Sequence, residues 1–551
     1  MSARRHAAGL PTEPHLVICP ASVLENWARE LATWAPALRV RTFHGAGRVG
    51  VRNEIDDAMD EEEDENVGPP FDVLLCCYTA FERETGDQQD DRKWLRSFHY
   101  GYAVLDEAHL VKNRASQRAT RLRQVLGRSA PRRLMLTGTP LQNDLGELLA
   151  LLELLMPELF NSRGALLDAA EQNASKRSSG DFSKQAVARV RHLLGPFVLR
   201  RLKSEVLSQL MPKIQHVERL DMVPSQAALY AAAVASARRE MQAKAASRLP
   251  GAAAAAPVVA SELERSMGTN RLKALFTFLR KVANHPLLVR TRYSAASVDE
   301  IVAVAHRRGL FGPGAPLKKV REHVETLSDF ALHSVCCDER LHGALQHLCL
   351  PADAPLASGK AARLAQLLPT LKAAGSRPLI FSQWKIQLDV LEWLMRSLGL
   401  SYYRLDGSTP VEERQSMVDA FNAADSPIFA FLLSTRAGGQ GINLTGADTV
   451  ILHDVDFNPQ IDRQAEDRSH RLGQTKPVTV YRLVCEGTVD ARIAEIAQRK
   501  LSLDAAVLSS DKDAKAAESR SMAEMLAEML QEGPPAEGGD TVVVIGDATD
   551  E

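Results

Sequence analysis

The sequence predicts an α/β chain of two parallel-sheet lobes with a helical insertion region between them. Two observations carry this. Short continuous apolar runs alternate with helix-like segments at the start of the chain, and the same alternation returns beyond Ser358. Residues 141–350, lying between, read as mostly helical. Apolar runs without polar alternation are the pattern of strands covered on both faces, as in parallel sheets.

In the first lobe the expected strands are His15–Pro20, Asp72–Tyr78, Tyr102–Asp106 and Arg133–Thr137, separated by helices such as Ala21–Trp34 and Ala115–Leu126. Residues 246–260 are alanine-rich and read as a surface insertion. In the second lobe the expected strands are Pro378–Phe381, Tyr402–Leu405, Ile428–Leu433, Thr449–His453 and Val478–Leu483. Met522, Met525, Leu526, Met529 and Leu530 share one face of a short amphipathic helix over 521–530, and a disordered tail is expected after Gly533. The expected domains are residues 1–215, 216–355, 356–510 and 511–551.

Of the 551 residues 45% are hydrophobic and 25% charged, which excludes a largely disordered chain, a collagen and a small disulfide scaffold. The net charge of −2 conceals a split. Residues 54–65 carry nine acids and 524–551 eight more, with no base in either, so the remaining body carries +15. Such a body suits an anionic partner. The run at 54–65 reads as a solvated loop, or more sharply as a histone contact. Seven cysteines without regular spacing point to a reducing compartment. No apolar run approaches the ~18 residues that span a membrane, and no apolar signal core follows Met1. A cytosolic or nuclear location is expected.

In parallel sheets ligands bind beyond the carboxyl ends of the strands. There stand Asp106-Glu107-Ala108-His109, two carboxylates suited to a divalent cation and a water-activating base. Alone, they read equally as a helix cap. In Gln464–Gln474, Arg468 and Arg471 lie three apart, on one helix face, and suit a polyphosphate. Alone, they read equally as a solvated basic face. Ser434-Thr435-Arg436-Ala437-Gly438-Gly439-Gln440-Gly441 follows a strand; its glycines allow close backbone approach to a phosphate and its hydroxyls can donate to it, although a glycine-rich turn alone is a weak signal.

In this order the segments resemble the Swi/Snf family of superfamily-two helicase-like ATPases, over roughly residues 14–500. Leu16–Trp27 is similar to motif Ia, Asp106–His109 to the DEAH box and Leu136–Asn143 to motif III. Phe381–Trp384 opens motif IV, with Arg404–Ser408 beside it; Ser434–Leu444 is similar to motif V and Gln464–Gln474 to motif VI. Leu279–Leu288, Ser328–His333, Phe197–Val206 and Val450–Asp456, with Phe457 where most members have Trp, resemble the SMARCAD/Etl-type remodeller branch.

The resemblance implies two RecA-like lobes with ATP and Mg²⁺ in the cleft of a nuclear, DNA-dependent ATPase. Asp106 and Glu107 would serve the metal and the water. Arg468 and Arg471 would act as arginine fingers, with Gln464 and Gly441 also at ATP. Thr137, Gly138, Ser434, Thr435, Arg436, Gly438 and Gly439 would meet double-stranded DNA. Its partners would be nucleosomes and histones.

One part of the family pattern is missing. The 551 residues hold no G-x-x-x-x-G-K-[ST] loop; Ser358-Gly359-Lys360 is followed by Ala361-Ala362 and is similar instead to the opening of the family's second lobe. The expectation is an N-terminally truncated gene model or fragment of an active ATPase. The alternative is a DNA- or nucleosome-binding scaffold that has lost hydrolysis.

Two smaller signals remain. His333, Cys336, Cys337, His342, His347 and Cys349 cluster, but their spacing fits no closed zinc pattern and suits residues on helix faces. Val542, Val543, Val544 and Ile545, flanked by acids, resemble a SUMO-interacting motif or form an incidental apolar patch.

Overall fold

The computed structural model describes residues 13–61, 69–82, 84–138, 145–160, 197–199, 201, 210–248, 269–438, 441–471, 473–506 and 526. The first sheet is built from β1 (His15–Cys19), β2 (Val40–Phe43), β3 (Val73–Cys77), β4 (Tyr102–Leu105) and β5 (Arg133–Met135). Its order is β2-β3-β1-β4-β5, all parallel. Central β1 and β3 are buried along nearly their whole lengths, as continuous apolar runs require. One face packs Leu16, Ile18, Leu74 and Cys76 with Phe43 and Leu122; the other packs Val17, Cys19 and Leu75 with Val23 and Leu24. The sequence reading did not include β2, an edge strand whose Arg41 and Thr42 face solvent.

The second sheet contains β6 (Lys213–Leu220), β7 (Pro378–Ser382), β8 (Tyr402–Leu405), β9 (Ala430–Ser434), β10 (Thr449–Leu452) and β11 (Val478–Cys485). It is also all parallel, in the order β6-β11-β10-β7-β9-β8. Strand β6 crosses the boundary expected at residue 215. It pairs with β11 from Lys213↔Val478 to Leu220↔Cys485, so it belongs to the second lobe. It escaped the reading because polar residues break its apolar run and, at the sheet edge, most of it is exposed, Ile214 and Val217 included.

The intervening helices attach to the second lobe. Pro224–Arg248 and Thr269–Asn284 share a core with Val489–Ala506 through Tyr230, Leu272, Leu275, Leu279, Val489 and Ile493. Ala295–Arg307, Leu317–Thr326 and Asp329–Cys336 close a core of their own. The acidic run is not wholly a loop. Its residues 54–60 continue the helix Arg48–Asp60, whose Ile55 is buried and whose Asp56 accepts a hydrogen bond from Trp94 Nε1 at 2.6 Å. Leu526 packs in the shared core; the rest of the expected 521–530 helix and the acidic tail lie outside the described residues. No described helix is long and apolar enough to cross a membrane.

Lys360 confirms that Ser358-Gly359-Lys360 is no phosphate loop. Ser358 caps the helix Gly359–Ala373 by accepting from Ala361 N. Lys360 is fully buried; its Nζ lies 2.5 Å from Asp490 and donates to Asn284 Oδ1 at 2.9 Å and to the His453 carbonyl at 2.8 Å. Gly359 allows the approach, since a Cβ there would sit 2.0 Å from the Asp221 carbonyl oxygen. Removing one partner of a buried ion pair strands the other charge. Lys360→Ala is therefore expected to cost about 3–5 kcal/mol of second-lobe stability in urea denaturation, part of it recovered by adding Asp490→Asn.

Candidate active site between the lobes

Asp106 and Glu107 stand at the carboxyl end of β4. Asp106 N donates to the Ile18 carbonyl at 2.8 Å, which continues the sheet one residue further. The Asp106 carboxylate accepts from Trp27 Nε1 at 2.9 Å and from Glu107 N at 2.9 Å, and the Tyr78 hydroxyl donates to the Asp106 carbonyl at 2.8 Å. Burial raises the Asp106 pKa, opposed by the Trp27 hydrogen bond.

Glu107 has φ 50° and ψ 48°, a left-handed conformation unusual for a side chain with a Cβ. Such strain costs on the order of 1–3 kcal/mol and gathers at functional sites. His109 Nδ1 lies 3.1 Å from Glu107 Oε2. Burial pushes the Glu107 pKa up, but His109, Arg468 and Arg471 outweigh it and leave it lowered.

The arginines come from the second lobe, just beyond the helix Pro459–Glu466. Arg468 is 5% exposed. Its Nε donates to the Gln464 carbonyl at 2.8 Å, while Nη1 has no hydrogen-bond partner among the described residues. Burial and the neighbouring Arg471 lower its pKa to about 10, leaving it cationic at neutral pH. Burial lowers Arg471 too, against Asp467 and Glu107. Buried Arg468 and half-buried Arg471 thus stand side by side, opposed by the carboxylates of Asp467 and, across the seam, Glu107, an arrangement that favours an added anion.

The helix is clamped by Glu466, fully buried between Lys213 Nζ at 2.7 Å and Arg482. Leu444 N donates to the Arg468 carbonyl at 3.0 Å, and Gln474 Nε2 to the Ala447 carbonyl at 2.7 Å. Sequence reasoning missed Trp27, Tyr78 and Glu466 as site-building residues. Trp27 lay within a recognised segment, but nothing local marks its reach to Asp106.

The remaining expected residues are spread more widely. Thr137 is half-buried beyond β5 and Gly138 is exposed there. Ser434 ends β9, and Thr435 is buried in the turn Thr435–Gly438. Gly438 faces the core: a Cβ would lie 2.9 Å from Leu433 Cβ and 3.1 Å from Phe381. Gly441, with φ +67°, meets the first lobe, where a Cβ would lie 1.4 Å from Val23 Cγ1. Gln464 is half-buried beside Arg468. Gly439, the Arg436 side chain and Val542–Ile545 lie outside the described residues. A second inter-lobe contact is exposed: Arg29 donates to both Asp419 carboxylate oxygens at 3.1–3.2 Å.

Comparison with known proteins finds the SNF2-related domain over residues 3–288 and the helicase conserved C-terminal domain over 359–473. The chain is 46% identical over 526 residues to Protein CHROMATIN REMODELING 19 of Arabidopsis thaliana, covering 94% of this chain and 65% of that protein. It is 36% identical to the SWI/SNF-related matrix-associated actin-dependent regulator of chromatin subfamily A containing DEAD/H box 1 of Homo sapiens, covering 89% of this chain and 44% of that protein. It is 37% identical to ATP-dependent helicase fft2 of Schizosaccharomyces pombe, covering 94% of this chain and 38% of that protein. The chain thus spans from about two fifths to just under two thirds of these relatives' lengths.

The Gly441–Val23 contact yields a prediction. Gly441→Ala separates the lobes, read as a larger radius of gyration in small-angle scattering. Adding Val23→Gly restores the compact value, because the blocking methyls are gone. An unchanged radius in Gly441→Ala contradicts the tight seam.

Proposed function

Because the chain belongs to the SNF2-related family, with a helicase C-terminal domain in its second half, we propose that it forms the ATP-dependent DNA-translocating engine of a nuclear chromatin remodeller. The carrying observation is that buried Arg468, with its unpartnered Nη1, lies close enough to Glu107 for each to shift the other's ionisation.

The residues present suit the terminal phosphate of ATP and its Mg²⁺. The Asp106 carboxylate, held by two donors, keeps lone pairs for the cation or its water. Bound there, ATP and Mg²⁺ would supply a phosphoanhydride bond for hydrolysis. The lowered Glu107 pKa keeps its carboxylate ionised to orient the attacking water. Arg468 and Arg471 neutralise charge as it develops, in a site where few waters compete. Arg468 and Glu107 lie on different lobes, so occupancy of the seam favours closure.

Thr137 and Gly138 on the first lobe, and Ser434 through Gly439 on the second, are proposed to grip the backbone of duplex DNA. Contacts to phosphates carry no sequence information, as movement along any sequence demands. The +15 body supplies the accompanying electrostatic attraction. Nucleosomes are the proposed substrate, and SUMO-modified proteins a proposed partner of Val542–Ile545. The alternative is a DNA- or nucleosome-binding scaffold without hydrolysis.

One experiment separates the two. A protein of these 551 residues is expected to hydrolyse ATP negligibly, with or without DNA. Fused behind the strand and phosphate-loop segment of a relative, it gains DNA-stimulated hydrolysis. Glu107→Gln then lowers kcat at least ~100-fold, and Arg468→Ala about 1000-fold or more. A fusion that binds ATP yet stays inactive supports the scaffold, and an active fusion indifferent to both substitutions contradicts the roles given to Glu107 and Arg468.

A further inference from the structure

Far from the cleft, three side chains scattered in sequence converge. His333 lies on the helix Asp329–Cys336, Cys337 caps that helix, and Cys349 follows a short 3-10 turn. One ligand atom from each lies within 4.8 Å of those of the others. Cys337 Sγ is 2.8 Å from Cys349 Sγ, 3.5 Å from His333 Nδ1 and 3.8 Å from Nε2. The sequence reading favoured plain helix-face residues because the ligand spacing is irregular. The turn at 338–348, with left-handed His342, brings Cys349 back onto the helix end.

We infer that His333, Cys337 and Cys349 form a binding site for a borderline-soft divalent cation, Zn²⁺, whose fourth ligand is water. With Zn–S about 2.3 Å and Zn–N about 2.0–2.1 Å, tetrahedral ligation separates sulfur and nitrogen by about 3.6 Å. The Cys337–His333 Nδ1 distance is already 3.5 Å. The two sulfurs must part to about 3.8 Å, which exposed Cys337, at the helix end, can supply.

The imidazole is prepared for the task. Its ring stacks on Trp393 at 4.4 Å and 11°, which fixes its plane. Leu350 N–H donates to Nδ1 at 3.0 Å, so the lone pair sits on the nitrogen nearer Cys337, and a cation would take it over from that donor. Burial lowers the His333 pKa, which favours the neutral ring that a ligand must be. Zn²⁺ would drive the proton off the Cys337 thiol. Asp389 and Glu392, each paired with Arg404, line the same open cavity together with Arg396. A Cys337–Cys349 disulfide would leave the imidazole without a part.

The site joins the small helical core to the second lobe, because Trp393 belongs to the lobe-two helix Lys385–Ser397 and also contacts Phe330. The cation would fix that docking.

The test uses the full chain, reduced and stripped with chelator, then titrated with Zn²⁺ against a chromophoric competitor and separately with Co²⁺. One Zn²⁺ per chain is expected, with thiolate-to-cobalt charge-transfer absorption in the near ultraviolet. Cys337→Ser and His333→Ala should each weaken Zn²⁺ at least tenfold, whereas His347→Ala, an exposed neighbour paired with Glu300, should not. Circular dichroism checks that each variant folds, and Cys349→Ser provides a second thiol variant should one fail. Absence of Zn²⁺ binding, binding equal in wild type and all folded variants, or a Cys337–Cys349 disulfide in its place, each overturns the site.

Discussion

A guanidinium held out of water with a second cation beside it is the constraint on which the rest of the structure depends. Arg468 is buried and Arg471 half-buried at the seam, and the Arg468 pKa is pulled down to about 10 although Asp467 and Glu107 oppose the shift. A lowered arginine pKa means the folded protein holds that cation less well than water does. A fold does not gain stability this way. The arrangement is explained if the seam is shaped for an anion that arrives from outside.

Much of the surrounding structure serves to keep those cations in place. Glu466 anchors the end of the helix that precedes them to β6 and β11 through Lys213 and Arg482. The buried Lys360–Asp490 pair ties the helix Gly359–Ala373 to the helix Val489–Ala506, with Asn284 of the inserted helices completing the network. On the opposite lobe, the left-handed backbone of Glu107 and the indole of Trp27 fix the two carboxylates. Gly441 against Val23 lets the lobes meet without a side chain between them.

The sequence disclosed the parts whose physics is local. Nine of the eleven described strands were legible, most because their runs are apolar and buried, and Asp106, Glu107, Arg468 and Arg471 were legible as a resemblance. Edge strands β2 and β6 were not, since their solvent-facing residues break the apolar run. Trp27, Glu466 and Gly441 act through partners 79, 253 and over 400 residues away, which no local pattern encodes. The left-handed Glu107 carries no glycine to announce it. The three candidate zinc ligands were seen and set aside, because only the turn before Cys349 makes their irregular spacing converge.

The central claim is that Arg468 is retained for a ligand and not for the fold. Its most direct test is the stability of Arg468→Met, which keeps the bulk and removes the buried charge, measured by urea denaturation without nucleotide. Replacing buried charge by apolar volume is often neutral or stabilising, so the variant should be as stable as the parent or more so. A loss of about 3 kcal/mol or more, the scale of breaking a satisfied buried pair, would mean that Arg468 is already paired within the fold and would contradict the account.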